Sequence, residues 1–207
     1  MIIAVDGPTA SGKGTIARAL ARHYGLPHLD TGLLYRAVGW QVAAHGGDPD
    51  NADDALRATA FPDSLLADAA LRSEATGALA SRVSVHPAVR AALLQRQRDF
   101  AAQPGGAVLD GRDIATVIAP DADAKLFITA SVASRALRRY VEMRGRGEQV
   151  SRERIAADLA ARDARDSARA TAPLRQATGA ALLDTSAMPP EAAIAAAIAL
   201  VEQQTRG

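Results

Sequence analysis

The chain has 207 residues and a formal net charge of +1, and 48% of its residues are hydrophobic and 23% charged. This is the profile of a globular protein of one domain, and a charge so close to zero gives no reason by itself to expect a surface that binds polyanions. The absence of cysteine excludes disulfides and thiolate metal sites, and no apolar run approaches the ~20 residues that cross a bilayer.

Strands alternate with helices in the predicted order of elements. The apolar run Ile2–Asp6, ended by Gly7 and Pro8, predicts a buried parallel strand. Amphipathic spacing predicts a helix from Lys13 to Tyr24 that ends at Gly25. Further helices are predicted at 32–45, across the alanine-rich stretch 52–82 with interruptions near Phe61-Pro62 and near Gly77, and at 87–101, 131–144, 151–168 and 190–204. Further strands are predicted at 107–109 (ending in Asp110), 125–129 and 181–184. The alternation predicts an α/β fold whose parallel sheet is covered on both faces.

The sharpest motif lies between the first strand and the first helix and consists of Gly7, Pro8, Thr9, Ala10, Ser11, Gly12, Lys13, Gly14 and Thr15. Glycine, four residues, then glycine-lysine is typical of a phosphate loop. The two spaced glycines let the backbone turn its N–H groups toward phosphate oxygens, and the start of the helix adds the positive end of its dipole. Lys13 is one of only two lysines in the chain, beside 22 arginines. The alternative, an ordinary glycine turn before a helix, does not account for this lysine.

The residue after Lys13 is Gly14 and not serine or threonine. The hydroxyl that often binds Mg²⁺ at that position is therefore absent. We expect Mg²⁺ to be held by nucleotide phosphates, by water and by Thr15.

A second motif is Asp30-Thr31-Gly32-Leu33-Leu34-Tyr35-Arg36. Thr31 is suited to cap the helix that follows, which places Arg36 on that helix. Taken alone, the motif is explained more simply as a capped helix with a surface arginine.

A third motif, Leu109-Asp110-Gly111-Arg112-Asp113, ends a predicted strand, where open α/β sheets bind their ligands. Asp110 is suited to orient water on Mg²⁺, Arg112 to bind phosphate and Asp113 to accept hydrogen bonds. The alternative is a β-to-α turn in which Asp113 caps a helix.

In a fourth motif, Arg162, Asp166 and Arg169 are predicted to share one helix face, at positions i, i+4 and i+7. Such a face is suited to bidentate binding of phosphate. Taken alone, however, the segment is better explained as a salt-bridge ladder in solvent. The preceding turn, 144–147, has the composition of a mobile loop that faces phosphate.

In this order and spacing, the motifs resemble those of bacterial cytidylate kinases, which are P-loop nucleoside monophosphate kinases. The resemblance spans nearly the whole chain and is strongest at Gly7–Thr15, Leu29–Arg36, Val89–Arg98, Asp110–Val117 and Arg162–Leu174. It implies one P-loop kinase domain over 1–207, with a three-layer α/β/α architecture, a small helical insert at about 31–100 that binds the nucleoside monophosphate, and a lid at about 144–154. It also implies transfer of a phosphoryl group from ATP, with Mg²⁺, to CMP or dCMP.

The resemblance further implies a role for individual residues. Gly7–Thr15 would hold the ATP phosphates, and Lys13, Arg112, Arg162 and Arg169 would be catalytic. The acceptor phosphate would be surrounded by Thr31, Arg36, Arg112, Arg162 and Arg169. The cytosine edge would be read by Ser81, Arg90 and Asp113, and the ribose hydroxyls would be bound by Asp166. The insert departs from the family pattern: it is short and alanine-rich, whereas the bacterial family usually has a longer insert with a small β-hairpin between the positions of Asp30 and Arg90.

Two alternatives remain open. The first is another small-molecule P-loop kinase, such as an adenylate or shikimate kinase, and only the residues expected to read cytosine, Ser81, Arg90 and Asp113, argue against it. A nucleotide switch is disfavoured because the only asparagine, Asn51, precedes Ala52, so the guanine motif of GTPases is absent.

The four histidines, His23, His28, His45 and His86, show no ligand spacing, so no metal site made of protein groups alone is expected. The start of the chain lacks the features of a signal peptide, and we expect a cytoplasmic protein without a membrane partner. With only 3% aromatic residues to stack on bases, a nucleic-acid partner is not expected. We expect a monomer.

Overall fold

The computed structural model describes residues 1–206 and contains five parallel strands flanked by helices. The strands are β1 (Ile2–Asp6), β2 (His28–Asp30), β3 (Ala107–Gly111), β4 (Ala124–Thr129) and β5 (Ala181–Asp184). The helices are α1 (Lys13–Tyr24), α2 (Thr31–Ala44), α3 (Ala52–Arg57), α4 (Glu74–Val83), α5 (Pro87–Ala101), α6 (Val132–Gly145), α7 (Arg152–Ala168) and α8 (Pro190–Thr205). Short 3₁₀ turns cover Asp63–Ala67 and Ala69–Arg72, and a π-helical turn covers Ile114–Ile118.

The order of the strands in the sheet is β2-β3-β1-β4-β5. Strand β1 is central and pairs in parallel with β3 on one side and β4 on the other. The register sets Asp6 beside Gly111, so the segments that follow β1 and β3 leave the same edge of the sheet next to each other. Ligands of open parallel sheets bind at this edge, where the strand order changes direction.

Residues 1–29 and 101–206 form one compact unit, and residues 30–100 form a second. In the first unit, α1 and α8 cover β1 and β4 through buried aliphatic side chains. Members of this core are Ile3, Val5, Ile16, Leu20, Leu126, Ile128, Ala197 and Val201.

In the second unit, α2 packs closely against α4. A side chain at Gly39 would lie 2.7 Å from the Leu79 Cβ, so the missing side chain permits this close approach. In residues 1–206 no helix is both long and apolar enough to cross a membrane.

The predicted α/β class with a parallel sheet is confirmed. Three local predictions are wrong. Helix α4 continues through Gly77, α2 begins at Thr31 with Asp30 in the capping position, and Arg169 lies just beyond α7 with an extended backbone. In addition, the strand β2 was not predicted. The cause at Arg169 is local: ψ is 133° there, so the helix has already ended.

Candidate active site

The phosphate loop between β1 and α1 has the backbone that its glycines predict. A Cβ at Gly7 would lie 2.0 Å from the carbonyl oxygen of Ile128, so no side chain fits there. Gly12 has φ +90°, which favours glycine. The backbone of Ala10 is also in the left-handed region, at φ +62°. Residues other than glycine rarely adopt this conformation, so surrounding contacts must stabilise it.

Two buried side chains hold carbonyl groups of this loop. Arg135 donates from Nη1 to the oxygen of Thr9 at 3.1 Å, and the hydroxyl of Thr185 donates to the oxygen of Ser11 at 2.9 Å. In a trans peptide the C=O and N–H point to opposite sides. The N–H groups that follow, of Ala10 and Gly12, therefore point away from these two side chains.

The loop also holds its lysine near the start of α1. The Lys13 ammonium donates to the oxygen of Pro8 at 3.4 Å. The first N–H groups of any helix have no partner within the helix and carry its positive end. The lysine and the start of the helix are together suited to a polyphosphate, so the residues present fit ATP.

Asp110, in β3, lies beside this loop. One carboxylate oxygen is 2.7 Å from His28 Nε2, and the other is 3.7 Å from the position a Cβ would take at Gly14. Asp110 is 2% exposed. A carboxylate beside the phosphate loop fits the predicted role of orienting water on Mg²⁺. Within residues 1–206 no cluster of three or more His, Cys, Asp or Glu could hold a metal by itself.

Arg112 connects the phosphate loop to α7. Its Nη2 donates to the Thr9 hydroxyl at 2.6 Å and its Nε to Asp166 at 2.9 Å. Arg169 donates through Nε to the backbone oxygen of Asp166 at 3.2 Å and lies 3.9 Å from its carboxylate. The structure thus brings two of the predicted arginines, Arg112 and Arg169, to the buried carboxylate of a third predicted residue, Asp166. This differs from the exposed ladder weighed as the alternative, because Asp166 is only 7% exposed.

The neighbouring arginines stabilise the negative charge of Asp166. Burial opposes its ionisation, but the charges of Arg112, Arg169 and Arg162 and the hydrogen bond from Arg112 outweigh burial and lower the pKa of Asp166 below its ordinary value. Asp166 is therefore ionised at neutral pH and offsets part of the positive charge of the arginines.

Asp113 lies in the turn after β3 and is 5% exposed. It occupies the position before the π-helical turn, and its side chain makes no capping hydrogen bond there. The capping is supplied by Asp6, which accepts from the N–H groups of Ile114 at 2.8 Å and Ala115 at 2.9 Å. Burial, opposed by these two bonds and helped by the charge of Asp113, raises the pKa of Asp6 to about 7.

Four predicted residues lie in the second unit, and one of them, Arg36, is bound to two backbone oxygens. Its Nη1 donates to the backbone oxygens of Leu71 and Ser73, both at 2.7 Å. A Cβ at Gly77 would lie 2.7 Å from Arg36 Nη2, so Gly77 leaves the space that the guanidinium fills. The structure thereby explains a glycine inside a helix.

The remaining three predicted residues of this unit, Thr31, Ser81 and Arg90, are buried. The guanidinium of Arg90 lies 5.4 Å from the centre of the Tyr35 ring and donates to the oxygen of Ser84 at 3.4 Å. A cation over a ring face is attracted to it, so Tyr35 helps to orient Arg90.

Sequence reasoning did not assign a role to five residues that contact or adjoin predicted site residues within the same unit or hold the phosphate loop: Asp6, His28, Tyr35, Arg135 and Thr185. Asp6 had a readable signal, since it ends the first strand directly before the loop. Thr185 had none, because its partner Ser11 lies 174 positions away.

A family model described as "Cytidylate kinase" matches residues 3–203. Curated relatives carry the same description. One from Xanthobacter autotrophicus is 58% identical over 207 residues and all of both chains. One from Methylocella silvestris is 55% identical over 98% of this chain and 94% of the relative, and one from a Methylobacterium species is 61% identical over 86% and 85%.

Proposed function

The chain belongs to the cytidylate kinase family, and from this membership and the geometry of the site we propose that it transfers the γ-phosphoryl group of ATP to CMP or dCMP. The products are ADP and the cytidine diphosphate. The observation that carries the proposal is the position of Arg112, which bonds both Thr9 of the phosphate loop and Asp166 of α7. One guanidinium thus contacts both the loop proposed to bind the donor and Asp166, which lies among the arginines proposed to bind the acceptor phosphate.

On the donor side, backbone N–H groups within Gly7–Thr15, of which only Pro8 has none, and the ammonium of Lys13 bind the ATP phosphates. Bound Mg²⁺ supplies positive charge that neutralises the β- and γ-phosphates. Thr15 and Asp110 would offer oxygens to the cation or to its water. Lys13 stabilises the charge that spreads over the transferred group.

On the acceptor side, the phosphate is bound by Thr31, Arg36, Arg112, Arg162 and Arg169. Arginine offers two parallel N–H bonds to phosphate, which fixes its orientation as well as its position. Asp166 accepts from the ribose hydroxyls. A carboxylate has about four lone-pair sites, so its bond with Arg112 leaves acceptors for the sugar.

The base is read by Ser81, Arg90 and Asp113. A carboxylate accepts from the N4 amine of cytosine, and uracil offers a carbonyl oxygen there instead. Asp113 therefore favours cytosine over uracil.

The reaction needs no strong general base. The second pKa of a phosphate monoester is ~6, so the acceptor is already an anion at neutral pH. The enzyme's contribution is to hold two polyanions in line and stabilise the transition state. A lid at about 144–154 closes over them and excludes water, which limits hydrolysis of ATP.

In the cell we propose a cytoplasmic monomer that works on free nucleotides rather than on nucleic acid. The test is a coupled assay of ADP release with CMP, dCMP, UMP, AMP, GMP and shikimate as acceptors. We expect the highest kcat/KM with CMP or dCMP. Equal turnover of all acceptors, or a preference for AMP or shikimate, contradicts the proposal.

A further inference from the structure

Arg135 is a buried cation held on every side by protein groups. It lies in the first turn of α6 and is 3% exposed. Its Nε donates to the oxygen of Ala130 at 2.9 Å and its Nη1 to the oxygen of Thr9 at 3.1 Å. Nη1 and Nη2 also form a fork with the carboxylate of Asp163, at 3.1 and 2.5 Å. The guanidinium thus donates four hydrogen bonds in fixed directions, whereas a lysine ammonium has only three donors.

One end of this contact lies in the phosphate loop. The carbonyl that Arg135 holds belongs to the peptide between Thr9 and Ala10, and Ala10 is the alanine with the left-handed φ of +62°. With the oxygen held toward Arg135, the N–H of Ala10 is held on the opposite side. Thr185 holds the oxygen of Ser11 in the same way, so the loop is fixed from outside at alternate peptides.

The other end lies on α7. Asp163 precedes Asp166 by three positions, so both project from neighbouring points of the same helix face. Asp166 binds Arg112, and Arg162 is next to Asp163 in the chain. Through Asp163, the guanidinium that holds the phosphate loop also holds the helix that carries the acceptor-side residues.

We propose that Arg135 is a positioning residue: it keeps the Thr9–Ala10 peptide in its phosphate-binding orientation and fixes α7 to the phosphate loop. Its hydrogen bonds go to protein groups, so it acts through the residues that it holds. The inference rests on the proposed function for its acceptor side, while its donor side concerns ATP binding alone.

The donor side is tested with Arg135→Lys, which keeps the charge and loses the fork. Binding of a non-hydrolysable ATP analogue with Mg²⁺ is measured by calorimetry. We expect its Kd to rise about tenfold or more, the ratio that corresponds to one lost charge-assisted hydrogen bond. Hydrogen exchange of the segment 7–15 should become faster, while exchange in α8 stays as in the wild type.

The acceptor side is tested with Asp163→Asn, which retains the bond from Arg135 to Thr9. We expect nearly unchanged affinity for the ATP analogue and a several-fold lower kcat with CMP, because α7 is held less firmly. Arg206→Lys is the control: it alters an exposed pair with Glu202 on α8 and should change none of these values.

Wild-type affinity and wild-type loop exchange in Arg135→Lys would overturn the proposal. So would faster exchange in α8 to the same degree as in the loop, since that pattern shows a loss of global stability. An unchanged kcat in Asp163→Asn would show that the bond between Arg135 and Asp163 does not position α7 for the reaction. If the wild-type enzyme fails to phosphorylate CMP, the proposed function fails, and the ATP-binding measurements still decide the role of Arg135 in the loop.

Discussion

Replacing Asp6 by asparagine should make the stability of the protein less dependent on pH between about 4 and 7. Asp6 is 1% exposed, and burial raises its pKa from 3.8 to about 7. The folded state therefore holds the proton more tightly than the unfolded chain. The stabilisation from this group is full below pH 3.8 and is lost as the pH rises through the folded pKa, because the unfolded chain releases the proton first.

The size of the effect follows from the two pKa values. Their difference, at 1.36 kcal/mol per unit, corresponds to about 4 kcal/mol lost from the free energy of unfolding across this range. Within the range, the slope approaches about 1.4 kcal/mol per pH unit for one proton. Asparagine does not titrate, so Asp6→Asn removes this contribution. Its side chain accepts from only one of the N–H groups of Ile114 and Ala115, so the variant is less stable at low pH.

The assay is urea unfolding of both proteins at several pH values from 4.5 to 7.5. The difference in free energy of unfolding, wild type minus variant, should fall steadily as the pH rises. Asp184→Asn is the control: hydrogen bonds from Ser186 lower the pKa of Asp184, so it titrates below this range and its curve should run parallel to that of the wild type. Parallel curves for Asp6→Asn and the wild type would refute the reasoning.

Four further predictions concern the reaction. Lys13→Ala should leave the protein folded by circular dichroism but lower kcat by more than a hundredfold, at ~1.4 kcal/mol per tenfold, and retention of more than about a tenth of the rate contradicts the loop assignment. Asp113→Ala should raise the KM for CMP far more than that for ATP, by the ~1–3 kcal/mol of a lost base contact, whereas equal changes in both KM values indicate a structural role. Gly77→Ala should displace the guanidinium of Arg36 and raise the KM for CMP several-fold with little change in melting temperature, and an unchanged KM would show that this space does not matter. Hydrogen exchange over 144–170 should slow most with an ATP analogue and CMP together, and unchanged exchange combined with near-normal activity of Arg162→Ala and Arg169→Ala would refute the lid.

Local sequence patterns predicted the elements that depend on local physics. The strand β1, the loop after it and α1 follow from an apolar run, two spaced glycines and a 3.6-residue period, and all three lie where they were predicted. The strand β2 could not be found in this way, because its three residues are too few to show a period.

Contacts between distant parts of the chain could not be predicted from the sequence. The bond from Arg135 to Thr9 spans 126 positions, and nothing in either segment identifies the other. The end of α7 is a similar case. The arginine spacing predicted a helical Arg169, but the chain turns there, and Arg169 instead donates to the backbone oxygen of Asp166.

The most direct test of the central claim is to follow the γ-phosphate itself. ATP labelled with ³²P at the γ-position is mixed with CMP, Mg²⁺ and the wild-type enzyme, and the nucleotides are separated by chromatography. Lys13→Ala serves as the matched control. The account predicts that the label moves into CDP with the wild type and far more slowly with the variant. Label that appears as inorganic phosphate, or that stays in ATP while CMP is present in excess, would contradict it.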